Sequence, residues 1–165
     1  MPDAATNIQT KPTVIPCFRD NYFALIENSE GTNMFRHWYC TVNGAKEDVM
    51  RDGNFSCALY VTGILKMLGL VDEVQITVHR AVSALERSGW QRIDGPRRGA
   101  IVVWDTQPSQ KEEAWVSTAA KHLGFCLGEN TAISNRDEAH APIRHPLDYR
   151  PVLFCLWHPK LDGKE

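Results

Sequence analysis

Cys57 and His122 are the residues of this sequence whose type and placement best suit chemistry. Cys57 falls in the first turn of the segment NFSCALYVTGILKMLGL, whether Asn54 or Ser56 caps it. The first N–H groups of a helix have no partner within it, and the helix dipole favours negative charge there. A thiol so placed is expected to have a lowered pKa, and the thiolate is the nucleophilic form. The same N–H groups suit the oxyanion that forms when sulfur attacks a carbonyl. Read by itself, Cys57 is equally a small buried hydrophobe.

The strand KHLGFCLG shifts that balance. Side chains alternate along a strand, so His122, Gly124, Cys126 and Gly128 share one face and Leu123, Phe125 and Leu127 the other. Glycines on a strand face admit a close neighbour. A helix N-terminus resting on that floor brings Cys57 to His122, which alone would read as a hydrogen-bonded structural histidine. Cys126 lies four residues along the strand, roughly 13 Å away, too far to partner His122. Cys17, Cys40 and Cys155 lack a comparable helix start and read as packing residues.

A base histidine needs a third group to hold its ring. The next strand, TAISN, offers two. A two-residue turn at Glu129-Asn130 pairs Gly124 with Asn135 and puts Asn135 on the face of His122. A loop one residue longer or shorter, or a bulge, puts Ser134 there instead. Asparagine is the firmer acceptor for an imidazole N–H. Both Ser134 and Asn135 stay open.

The elements that must position these groups follow from periodicity. Residues 1–12 are polar and read as a flexible arm, leaving 13–165 as a single domain. From Thr13, a cap, to Gly31, a stop, apolar residues at Ile15, Phe18, Tyr22 and Leu25 predict a helix, with Pro16 in its first turn. Asn43-Gly44 predicts a hairpin between Trp38–Val42 and Ala45–Met50. The Cys57 helix, closed by Gly69, is apolar all round except for Lys66, which makes it a central buried helix. An amphipathic helix over Val78–Ser88, capped by Thr77, directs Val78, Val82 and Leu85 inward. Strands are expected at Trp90–Ile93, Ala100–Trp104, His122–Leu127, Thr131–Asn135 and Val152–Trp157. The 105–120 connection carries Ser109 and Glu112 at capping-box spacing, a sign of a short helix. Helices first and antiparallel strands after them read as α+β.

Composition excludes several classes. A chain of 165 residues with 43% hydrophobic and 23% charged residues is neither disordered nor fibrous. With 18 Lys plus Arg against 20 Asp plus Glu, a net charge of -2 argues against nucleic acid as a partner. The nearly apolar run Cys57–Leu70 is too short to cross a membrane. The start MPDAATNIQTKPTV lacks the pattern of a secretion signal, so the chain is expected in the cytoplasm as synthesised, with export by another route open. Five cysteines without a C-x-x-C pair fit neither a disulfide framework nor a zinc ribbon. His140 and His145 lack acidic or thiol partners at ligand spacing, so neither a metal nor a cofactor is expected.

NFSCALYVTGIL, then GAIVVW, then KHLGFCLGENTAISN resembles the NlpC-type cell-wall peptidases, a compact branch of the papain-like cysteine hydrolases. The likeness spans residues 54–135, about half the chain, and is most specific at the histidine strand. It implies a papain-like core with its nucleophile helix packed on an antiparallel sheet. It also implies Cys57 as nucleophile and His122 as base, and its ungapped reading takes Ser134 as the third residue. The implied reaction is metal-free hydrolysis of an amide in peptidoglycan stem peptides through a thioacyl intermediate. The sequence departs from the family pattern where Ser56 stands for the usual Asp, Ala58-Leu59 for Ser-Gly, and Ala100 for an acidic residue.

The reading is therefore a cysteine peptidase or amidase acting on a peptide or peptidoglycan fragment. The Trp38-Tyr39 region and the 105–120 connection are expected to wall its groove. Acyl transfer on the same Cys-His site is one alternative, and a non-catalytic peptide- or protein-binding module of the same fold is another.

Overall fold

The computed structural model describes residues 11–106 and 121–163. It is an α+β structure. The helices are α1 (Phe18–Asn28), α2 (Cys57–Met67) and α3 (Val78–Arg87). The strands are β1 (Tyr39–Val42), β2 (Ala45–Asp48), β3 (Gln91–Ile93), β4 (Ile101–Trp104), β5 (His122–Gly128), β6 (Thr131–Arg136), β7 (Ala141–Pro146) and β8 (Val152–Trp157). Strands β1 and β2 form a separate hairpin, and the other six form one antiparallel sheet in the order β3-β8-β4-β5-β6-β7.

The sheet is built around β4, whose IVVW sequence is buried throughout between β5 and β8. Helices α1 and α2 cover the Leu123/Phe125 face, where the rings of Tyr60 and Tyr22 meet Phe125 edge-on at 5.5 and 6.2 Å. As its sequence requires, α2 is buried almost all round: Ala58 to Thr62, Ile64 and Leu65 are all inside, Cys57 and Gly63 are half-buried, and only Lys66 and Met67 at its end are exposed. Each large apolar side chain among them contributes roughly 1.5–3 kcal/mol by leaving water. Gly69 closes α2 at φ +63.

Helix α1 starts later than periodicity suggests. Residues 11–17 have no regular structure and are exposed, Val14 at 84% and Ile15 at 78%. Pro16 biases Ile15 to extended backbone, and Cys17 takes the N-cap position at ψ 96. The buried stripe is Tyr22, Phe23 and Ile26, with Phe18 and Leu25 at its margin. Of the expected arm, residues 11 and 12 are exposed and the rest lies outside the described residues.

The hairpin turns where expected, with Asn43 and Gly44 both at positive φ, 50° and 86°. Its second strand stops at Asp48 rather than Met50, because the Asp48 carboxylate accepts the N–H groups of Trp38, Met50 and Asp52 and curls the chain. Helix α3 keeps its expected span within a residue, burying Ala81, Ala84 and Leu85. Strand β7 is the element that sequence reading does not anticipate. Its APIRHP carries two prolines, which a sheet tolerates at an edge. The Ser109–Glu112 helix start lies outside the described residues.

Candidate active site

A bulge decides which polar residue meets His122. The expected turn forms at Glu129-Asn130, both at positive φ, between the pair Gly128 and Thr131. The next pairs are Cys126 with Ala132 and Phe125 with Ile133, which leaves Leu127 unpaired in β5. That extra residue shifts the register by one and brings Ser134 across from Gly124. The Ser134 hydroxyl is fully buried and lies 2.8 Å from His122 Nε2.

Asn135 consequently points the other way and does not orient His122. Its Nδ2 donates to Gly53 O at 2.7 Å, holding the Arg51-Asp52-Gly53 turn that leads into α2. Asp48 holds the same turn from the other side. Burial opposes its ionisation, but hydrogen bonds from His37 and from the Asp52, Trp38 and Met50 N–H groups bring its pKa down to about 2.

Gly124 is required, though not to seat α2. A Cβ there would lie 2.5 Å from Ile133 O, 2.7 Å from Ser134 Cβ and 3.0 Å from the Trp104 ring. The floor of small residues therefore accommodates neighbours within the sheet, while α2 packs on the opposite face. Cys57 lies against the backbone of β5 at Leu123, the residue after His122.

Ser56 takes the N-cap position of α2, yet its buried hydroxyl makes no hydrogen bond, so the side-chain cap expected of it or of Asn54 is not formed. The first hydrogen bond at the head of α2 runs from Tyr60 N to Ser56 O at 2.8 Å, so the N–H groups of residues 57–59 lie ahead of the ladder. The N–H groups of Leu123, the residue after His122, and of Ala58 lie near the Cys57 sulfur and favour its thiolate. Sulfur and imidazole do not hydrogen-bond to each other.

The charge state differs from the expected lowered thiol pKa. Burial pushes the Cys57 thiol up and outweighs the N–H groups and the Arg150 charge that pull it down. Burial likewise pushes His122 down to about 3, and the charges of Arg150, His145 and Arg136 act in the same direction. At neutral pH both groups are uncharged, so the pair rests as a thiol and a neutral imidazole and not as an ion pair.

Ser134 has a second partner. Its hydroxyl lies 2.7 Å from His145 Nε2, and His145 Nδ1 lies 2.9 Å from Pro146 O. Around this row stand Trp104, whose indole N–H donates to Leu147 O at 2.8 Å, and Tyr149, whose ring meets His145 edge-on at 4.3 Å. Arg136 stacks over Tyr149 at 4.5 Å while bonding Glu138 at 2.8 and 3.1 Å. Sequence reading met His145 only as an unconvincing metal ligand. The missing signal was β7, since a histidine on the strand beside TAISN falls on the Ser134 face.

No protein-family model matches this sequence, and no curated protein matches it either. Among the described residues no group of three His, Cys, Asp or Glu side chains is placed to hold a metal ion, and no helix is long and apolar enough to cross a membrane. All five cysteines are free. Cys126 and Cys155 are buried as packing residues; Cys40 is half-buried, and Cys17 is exposed at the head of α1 instead of packed. His140 sits apart from His145, with its Nδ1 2.6 Å from Asp52 O. Trp38 and Tyr39 are 44% and 58% exposed on the hairpin, and most of the other expected groove wall, residues 107–120, lies outside the described residues.

Proposed function

We propose that this protein is a metal-independent cysteine hydrolase of amide bonds, with a papain-like core of the NlpC type. Cys57 is its nucleophile, His122 its base and Ser134 the residue that orients the base. One observation carries this reading: a thiol at a helix N-terminus lies against the N–H of the residue beside a histidine whose Nε2 is held by a buried hydroxyl.

Because both groups rest uncharged, the thiol gives its proton to His122 as sulfur attacks the carbonyl carbon. The carbonyl oxygen becomes an oxyanion that the N–H groups at the head of α2 are placed to receive. When the C–N bond breaks, the imidazolium returns the proton to the leaving amine, and a thioester remains on Cys57. Water then attacks the thioester and passes a proton to His122. The C–S bond breaks, the acid departs, and the imidazolium returns its proton to the sulfur, restoring the thiol. The thiol–imidazole hydrogen bond that this needs forms when substrate binds.

The substrate proposed is a peptide, with peptidoglycan stem peptides as the first choice. The wild-type protein is incubated with a panel of muropeptides and dipeptide amides, and new amines are read by mass spectrometry. The wild type is expected to release an amine and a carboxylate, and Cys57→Ala neither. Activity that persists in Cys57→Ala overturns the mechanism. An acyl group appearing on an added amine instead of on water identifies a transferase.

A further inference from the structure

We infer that His145 is a positioning residue which, through Ser134, fixes the tautomer of His122 that can act as a base. The inference rests on the proposed roles of Cys57 and His122 and adds a fourth member behind them. It follows from the direction in which each hydrogen bond of the row must run.

Pro146 O can only accept, so His145 Nδ1, 2.9 Å away, carries a proton. Burial lowers the pKa of His145, which is therefore neutral at pH 7, and its Nε2 is then an acceptor. The proton between that nitrogen and Ser134, 2.7 Å apart, must come from the hydroxyl. A hydroxyl has one proton. With it committed to His145, Ser134 Oγ can only accept from His122 Nε2, 2.8 Å away. His122 is thus protonated on Nε2, and its Nδ1 carries the lone pair. The backbone carbonyl of Pro146 sets the state of the base three links away.

The row also has a reversed form. If His145 takes up a proton, its Nε2 becomes a donor and the Ser134 hydrogen is free to turn to His122 or to the Tyr149 hydroxyl. Turned to His122, it requires a neutral His122 to carry its proton on Nδ1. The base is then blocked without being charged itself. The groups that face His145 and tune this reversal are Arg136 on β6, Glu138 in the turn before β7, Tyr149 and Arg150 beyond it, and His122 on β5. The two arginines oppose protonation, while Glu138 and the Pro146 carbonyl favour it.

The test reads the tautomer directly. Nitrogen-15 NMR of the imidazoles is recorded on the wild type, His145→Gln, His145→Ala and Ser134→Ala, with circular dichroism as a check that each folds. At pH 7.5 the wild type is expected to show His122 with its proton on Nε2. His145→Gln, whose amide oxygen can accept from Ser134 without titrating, is expected to keep that state and to lose its reversal at low pH. His145→Ala and Ser134→Ala are expected to give a mixture of the two tautomers. A wild-type His122 protonated on Nδ1, or a tautomer that neither alanine variant changes, overturns the inference. Because the spectrum needs no substrate, this outcome is separate from a failure to find hydrolysis. Where hydrolysis is found, the acid limb of its pH profile is expected to move to lower pH in His145→Gln, and an unmoved limb counts against the role.

Discussion

The two faces of β5 use one strand for opposite purposes. On the Leu123/Phe125 face, rings pack edge to edge, and their polar tips are tied off locally, Tyr22 to Gly99 O at 2.6 Å and Tyr60 to Ser29 at 2.8 Å. On the His122/Gly124 face, the side chains form a buried polar row in which each hydrogen bond fixes the direction of the next. A strand's two-residue period lets an apolar core and a buried polar row share a backbone without sharing neighbours. The glycine floor, expected to receive a helix, is what lets Ser134 and Trp104 close on one another.

Breaking the first face should cost the most stability. Phe125→Ala is expected to lower unfolding free energy by about 3–5 kcal/mol in urea titration, while the pH dependence of whatever activity survives stays that of the wild type. On the second face, Ser134→Ala is expected to cut hydrolysis about 100-fold. It should cost only about 1–3 kcal/mol of stability through the polar groups it leaves unpaired. If the two variants lost stability and activity in the same proportion, the division between the faces would be wrong.

Acid sharpens the contrast because His122 and His145 lie on the polar face. An unfolded chain protonates His122 near its ordinary 6.5, and the folded protein only near about 3. The stability this group contributes is therefore complete above pH 6.5 and declines as pH falls towards 3, at about 1.4 kcal/mol per pH unit. His145 and His158 are shifted the same way by burial and steepen the fall. Urea midpoints at pH 7, 5 and 4 should show it, with a shallower slope in His122→Gln. The smallest effect is expected from Asn135→Ala, which removes the bond to Gly53 O outside the row and should cost about 1 kcal/mol.

Much of this arrangement was legible in the residues, and what was not has definite causes. The apolar girdle of α2 and the Asn43-Gly44 turn appear where they were expected, and the alternation in KHLGFCLG holds as far as Cys126, where the bulge at Leu127 breaks it. The choice between Ser134 and Asn135 turned on Leu127, a bulge with no local signature. Strand β7 escaped because its prolines break the pattern that marks a strand, and His145 escaped with it. The Cys57 thiol pKa is raised and not lowered because desolvation outweighs the helix-terminal N–H groups, and those groups are legible in sequence while desolvation is not.

The central claim, that Cys57 and His122 act as one unit, is tested most directly by acyl trapping. The protein is incubated with an activated acyl ester at pH 7.5 and quenched in acid, and its five cysteine sites are mapped by mass spectrometry. The account predicts acyl transfer to Cys57 and at least a tenfold lower yield there in His122→Ala. Equal acylation of Cys57 in the two proteins, or acylation confined to the exposed Cys17, would contradict it.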